Sequence, residues 1–220
     1  AASKKCGSRN LNNDSHKADR VAKTGWMPVF GAILTGVLLF LSFPKFGVGV
    51  FAWVALLPLL LTLRGQSVRQ GMLLGFLSGL IFHIGILYWV TYVIVKYGAL
   101  PAYQGIAAML LLSIYLSLYT AVFAAGVLAL GRFGVLFSAP LLWTVLEFIR
   151  GKLLTGFPWE ALAYSQYLYR PMIQIVDITG ISGLSFLIVL FNAFLYEICV
   201  RKPLARRLSL AAFAFLIPIG

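Results

Sequence analysis

The chain has 220 residues, 61% of them hydrophobic and 11% charged, whereas soluble domains run at about 45–50% apolar and about 25% charged. That balance excludes an ordinary soluble enzyme and places the chain among membrane proteins. The net charge of +12 is not evidence for a nucleic-acid partner, because the basic residues stand at the ends of apolar runs, where topology determinants stand.

Residues 1–25 carry Lys4, Lys5, Arg9, Lys17, Arg20 and Lys23 against Asp14 and Asp19, with no apolar stretch. They read as a disordered basic tail rather than a signal peptide. Crossing the hydrocarbon of a bilayer takes about 20 apolar residues, and the remainder, 26–220, divides into seven such runs. The first extends from Met27 to Phe43 and the second from Phe46 to Leu63. The third extends from Gln70 to Val95 between Arg69 and Lys96. The fourth starts near Ala102, after Pro101, and lasts to Gly131. The fifth follows Arg132 and carries Glu147 and Arg150 near its end, and the sixth covers about Ile178–Val200. A seventh follows Arg206-Arg207. The fold expected is all-α, a polytopic transmembrane helical bundle of about seven helices. Thirteen Lys and Arg fall on the side of the tail and five on the other, which orients the N-terminus to the cytoplasm and the C-terminal end outward. Residues 151–177 form the longest connection, on the outer side, and their Trp159, Tyr164, Tyr167 and Tyr169 suit headgroup depth.

Ionisable groups in hydrocarbon are candidates for function because their desolvation is costly. Glu147 and Arg150 lie three apart on one helix face, as an ion pair that ends the helix or as groups that meet substrate. Arg150 could equally reach lipid phosphate at the outer headgroups. Gly71, Gly75 and Gly79 repeat every four residues, a small-xxx-small stripe for close helix approach, and His83 continues it as a buried helix contact. Ser113, Ser117 and Thr120 line one face of the fourth run and read as interhelical hydrogen-bonders. Asp177 and Glu197 stand near run ends and read as solvated. Two cysteines, Cys6 and Cys199, make no metal spacing or disulfide framework. No metal site, cofactor or catalytic constellation is expected in this chain. A small transporter or channel subunit, with His83, Asn192 and the fourth-run hydroxyls along a path, and a purely structural scaffold are the competing readings.

One block says more: Glu147-Phe148-Ile149-Arg150-Gly151-Lys152-Leu153-Leu154-Thr155-Gly156-Phe157-Pro158-Trp159, then Tyr164-Ser165-Gln166. It resembles the membrane part of bacterial apolipoprotein N-acyltransferases, as do Phe43-Pro44, Leu56-Leu57-Pro58-Leu59-Leu60, Tyr88-Trp89-Val90, Tyr115-Leu116-Ser117-Leu118-Tyr119, Ala139-Pro140 and Trp143. The resemblance implies an inner-membrane enzyme that moves an acyl chain from a phospholipid, through a cysteine thioester, to the N-terminal cysteine of a lipoprotein. It implies that the nucleophile belongs to a nitrilase-like domain inserted after the seventh helix, which this chain lacks. Cys6 and Cys199 fall on the cytoplasmic side, so neither carries over as the nucleophile. The chain is then expected to be an N-terminal fragment, or one half of a split enzyme, inactive alone. It would hold the phospholipid and lipoprotein substrates and anchor the catalytic domain, with Arg150 and Lys152 attracting phosphate and Phe157, Pro158 and Trp159 in the floor beneath it.

Overall fold

In the computed structural model the described residues are 26–153 and 156–200, without the side chain of Arg132. The basic tail, Cys6 and the seventh apolar run lie outside them. Every regular element among the described residues is helical: α1 (Met27–Ser42), a 3-10 turn (Gly49–Phe51), α2 (Ala52–Ala55), α3 (Leu57–Leu63), α4 (Val68–Ile86), α5 (Tyr88–Gly98), α6 (Ala102–Ala129), α7 (Val135–Arg150) and α8 (Arg170–Val200). The six described apolar runs thus all become helix, and α4, α6 and α8 are long and apolar enough to cross a membrane.

The distribution of side chains is that of a protein dissolved in lipid. Phe30, Leu73, Leu111, Phe137 and Phe148 are at least 63% exposed, while Thr35, Ser78, Ser113 and Asn192 are fully buried. Lipid solvates the outward leucines and phenylalanines but offers nothing to a hydroxyl or amide, so polar groups turn inward.

Close approach of α4 to α6 forms the centre. A Cβ on Gly75 would lie 2.5 Å from the Thr120 carbonyl oxygen, and one on Gly79 would overlap the Thr120 hydroxyl. Ser117 and Thr120 return their hydroxyl protons to their own helix, at Ser113 O (2.6 Å) and Ser117 O (2.9 Å). The small-residue stripe therefore brings two backbones together, and packing supplies the adhesion that water would supply elsewhere. At the start of α4, Ser67 and Gln70 form a capping box, each side chain accepting from the other's backbone N–H, which satisfies two helix-end donors.

Three runs are broken rather than continuous. The second stops at Leu56 because Pro58 follows, and Asn192 of α8 repairs the break. Its Oδ1 accepts from the backbone N–H groups of Leu56 (2.9 Å) and Leu57 (3.2 Å), and its Nδ2 donates to Ala52 O and Ile188 O. The third run breaks at Leu87, between α4 and α5. In the sixth, Gly180 leaves helical geometry at φ 71° and ψ 174°. Helix begins there at Arg170, earlier than the Ile178 suggested by charge, and residues 177–180 are all exposed. Asp177 marks the polar surface of a helical turn, so the connection is 151–169 rather than 151–177.

Candidate functional site

The 151–169 connection folds back onto the bundle instead of standing away from it. Gly156, at φ 80°, turns the chain where a Cβ would run into the Gly151 carbonyl, and Phe157 N–H then bonds Arg150 O at 3.1 Å. The 3-10 helix Leu162–Gln166 is held from three sides. Ser185 of α8 accepts from Ala163 N–H (3.1 Å). Gln166 donates to Gly49 O (2.8 Å) and accepts from the Trp53 indole (3.1 Å). Glu147 of α7 accepts from Leu162 N–H at 2.7 Å and from the Trp143 indole at 2.9 Å, both on Oε1.

Glu147 is therefore a tie between α7 and the loop, and it makes no ion pair with Arg150. Replacing Glu147 by alanine is expected to leave the Leu162 and Trp143 N–H groups without an acceptor, lowering stability by about 2 kcal/mol. Amide exchange at Leu162 should quicken in that variant, while Glu147→Gln, which keeps a carbonyl there, should exchange nearly as the parent does.

Arg150 is 7% exposed, and its Nε has no partner among the described residues. It shares a cavity of ≈ 20 Å³ with His83, Tyr119 and Glu147, room for a single water-sized group. Lys152 lies at the surface. His83, 1% exposed, turns Nδ1 to Gly79 O at 2.7 Å and Nε2 toward Glu160 Oε2 at 3.6 Å. Nothing in the sequence marks Glu160, an acid that follows Trp159 in a connection between helices. Its side chain is in fact only 7% exposed. Burial pushes its carboxyl up from 4.5 to about 7, against the opposing pull of the Arg150 charge.

Beside this cluster opens the larger cavity, ≈ 690 Å³, walled by Phe43, Ile86, Trp89, Pro158 and Trp159, with Lys45 and Glu160 as its charged groups. Trp89 and Trp159 face each other across 6.0 Å, and Lys45 Nζ sits 4.5 Å over the Tyr88 ring. Only Lys45, Ala99 and Glu160 among the described non-glycine residues have positive φ. Two of those three, at 104° and 68°, belong to this cavity. Such backbone costs about 1–3 kcal/mol per residue and gathers where function requires it. Of the residues singled out in sequence, Pro158 and Trp159 stand in the cavity wall, Glu147 and Arg150 stand behind it, and Gly71, Gly75, Gly79 and His83 form the α4–α6 contact. Among the described residues no group of three or more His, Cys, Asp or Glu has metal-holding geometry.

Comparison with known proteins matches residues 35–194 to the apolipoprotein N-acyltransferase N-terminal domain. Relatives include the apolipoprotein N-acyltransferase of Geobacter metallireducens, 48% identical over 169 residues, covering 76% of this chain and 32% of that protein. The Photobacterium profundum protein of the same name is 33% identical over 74% of this chain and 32% of its own length. That of Pasteurella multocida is 29% identical over 87% of this chain and 37% of its own length. The chain spans about a third of the length of these curated relatives. It belongs to the apolipoprotein N-acyltransferase family and corresponds to the N-terminal, membrane-embedded domain.

Proposed function

We propose that this chain binds the acyl chains of lipid substrates for an N-acyltransferase that moves an acyl group from a phospholipid to the N-terminal cysteine of a lipoprotein. The observation that carries this reading is the ≈ 690 Å³ cavity with aromatic and aliphatic walls and two charged groups. An acyl chain suits such walls, and holding two lipids by their tails brings their headgroups to one place, lowering the entropic cost of the reaction. Lys45 and the exposed Lys152 supply positive charge for a phosphate. Arg150, buried behind the cavity wall, supplies charge from beneath it.

In this reading the chain lies in the bacterial inner membrane with its N-terminus cytoplasmic and the 151–169 loop outward, as the Lys and Arg count favours. The chemistry is carried by a nitrilase-like domain, in the same polypeptide or in a separate one, resting on the loop near Trp159. The transporter reading has less support: Asn192, one of its path residues, is fully buried and spends all four of its hydrogen bonds on backbone.

The test is acyl transfer from labelled phospholipid by the full-length enzyme carrying Ile86→Trp, which fills the cavity. KM for phospholipid is expected to rise about tenfold, the effect of losing roughly 1.4 kcal/mol of binding. Trp159→Ala should act in the same direction. Unchanged kinetics in both variants would overturn the lipid-pocket reading.

A further inference from the structure

Two buried polar atoms face each other without another partner among the described residues: His83 Nε2 and Glu160 Oε2. The hydrogen bonds behind His83 set what passes between them. Gly79 O, 2.7 Å from Nδ1, only accepts, so Nδ1 carries a hydrogen. Ser117 Oγ lies 3.4 Å from the same nitrogen and gives its own proton to Ser113 O at 2.6 Å, so it too offers a lone pair to Nδ1. A neutral His83 consequently turns a lone pair at Nε2 toward Glu160. An ionised Glu160 would answer with another, and two acceptors buried together repel. One added proton turns the same contact into a hydrogen bond.

We propose that His83 and Glu160 hold one proton between them, and that this proton latches the Pro158–Glu160 segment to α4, making Glu160 a positioning residue for the wall of the lipid pocket. The proposal rests on the lipid-pocket reading above. The 3.6 Å separation closes to the ~3.0 Å of a hydrogen bond with a small movement of the loop. The latch also accounts for the backbone: Glu160 is held at φ 68°, a conformation that persists only when its surroundings impose it. Because Trp159 is the preceding residue and faces Trp89, releasing Glu160 frees that side of the cavity.

The charged and titratable groups around the pair come from several elements. His83 approaches from α4, and Arg150 and Glu147 line the small cavity from α7, with Tyr119 from α6. Lys45, Tyr88 and Tyr164 stand around the larger one. Glu147 is already engaged with Trp143 and Leu162. With the Glu160 carboxyl raised from 4.5 to about 7, this group keeps its proton in the folded protein over a range where it has lost it in the unfolded chain. The contribution of that carboxyl alone is fully present below 4.5 and is lost as pH rises through 7.

The experiment places the chain in lipid nanodiscs with 5-fluorotryptophan and follows the Trp159 resonance, assigned through Trp159→Phe, across about pH 5–9, the range where a carboxyl–imidazole proton at such a site is lost. The parent resonance should shift with pH. Glu160→Gln, whose amide N–H donates to Nε2 at every pH, should hold the low-pH position throughout. Glu160→Ala should hold the high-pH position. A parent that does not titrate, or a Gln variant that behaves as the Ala variant does, overturns the latch.

Brominated phospholipid that quenches the same tryptophan reads the pocket separately. Glu160→Ala should weaken that quenching roughly tenfold, the loss expected for about one buried hydrogen bond, and Glu160→Gln should restore it. Titration without any quenching in the parent removes the lipid pocket and leaves the latch. Quenching equal in all three proteins removes the positioning role and leaves the pocket.

Discussion

Gly75→Leu is expected to separate α4 from α6 and leave little folded protein. The added side chain would meet the Thr120 carbonyl oxygen at 2.5 Å, Ala124 Cβ at 2.6 Å and Ala121 Cα at 3.1 Å. Two of those atoms are backbone, which cannot rotate away, so relief requires the whole of α6 to move. Overpacking a well-packed core costs about 1–3 kcal/mol even where side chains can yield. Here the expected loss is about 3 kcal/mol or more, measured as unfolding midpoint and monodisperse fraction in detergent. The damage should reach the site as well, since His83 is two turns further along the same face and contacts Ser117. Gly131→Ala, where nothing lies within 4 Å of the new Cβ, is the control and should change stability by less than about 0.5 kcal/mol. Equal behaviour of the two variants would show that the small-residue stripe does not hold the bundle.

Asn192→Leu is expected to be nearly as damaging, for an electrostatic reason. Leucine matches the residue in size but leaves Leu56 N–H, Leu57 N–H and Ala52 O without the partners that Asn192 supplies. An orphaned buried polar group costs about 1–3 kcal/mol in a protein interior, and interhelical bonds inside membranes average about 0.6 kcal/mol. Three orphans together should therefore lower stability by about 2–4 kcal/mol. The loss should appear first as faster amide exchange at Leu56 and Leu57, before α4 or α6 loosens. Leu187→Ala, at a partly lipid-facing position of the same helix, should leave exchange at Leu56 and Leu57 as it was. Unchanged exchange in Asn192→Leu would mean that the break at Pro58 is stabilised by other groups.

The two variants probe features that differ in how visible they are along the chain. The Gly71, Gly75 and Gly79 stripe is periodic, and periodicity is a local property of sequence. Asn192 is one amide in a long apolar run. Its partners at Leu56, Leu57 and Ala52 are 135 or more residues away, and nothing in the run tells a helix repair from a transport path. The candidate site divides in the same way. The Glu147–Trp159 block singled out Pro158 and Trp159, which wall the cavity, and Glu147, which ties down the loop. It suggested a Glu147–Arg150 pair because three-residue spacing on a helix permits one. The competing acceptor role arose from Leu162, on a segment whose path the helix pattern does not determine. Glu160, Lys45, and Ile86 with Trp89 come to one cavity from three places in the chain. Of these, only the unusual backbone of Lys45 and Glu160 marks them locally, and a positive φ at a residue other than glycine cannot be read from its type.

By itself the sequence determined that this chain is a helical membrane protein, where its apolar runs lie, and which family it resembles. Those properties depend on hydrophobic run length, punctuation by charge and proline, and short motifs, all of them local. The tertiary structure alone decided that Asn192 mends a broken helix, that the 151–169 loop lies on the bundle, and that His83 meets Glu160 beside an apolar cavity. Each of these is a pairing of polar groups from distant segments. In lipid, buried donors and acceptors must find partners within the protein, and which ones they find depends on how the helices are arranged in space.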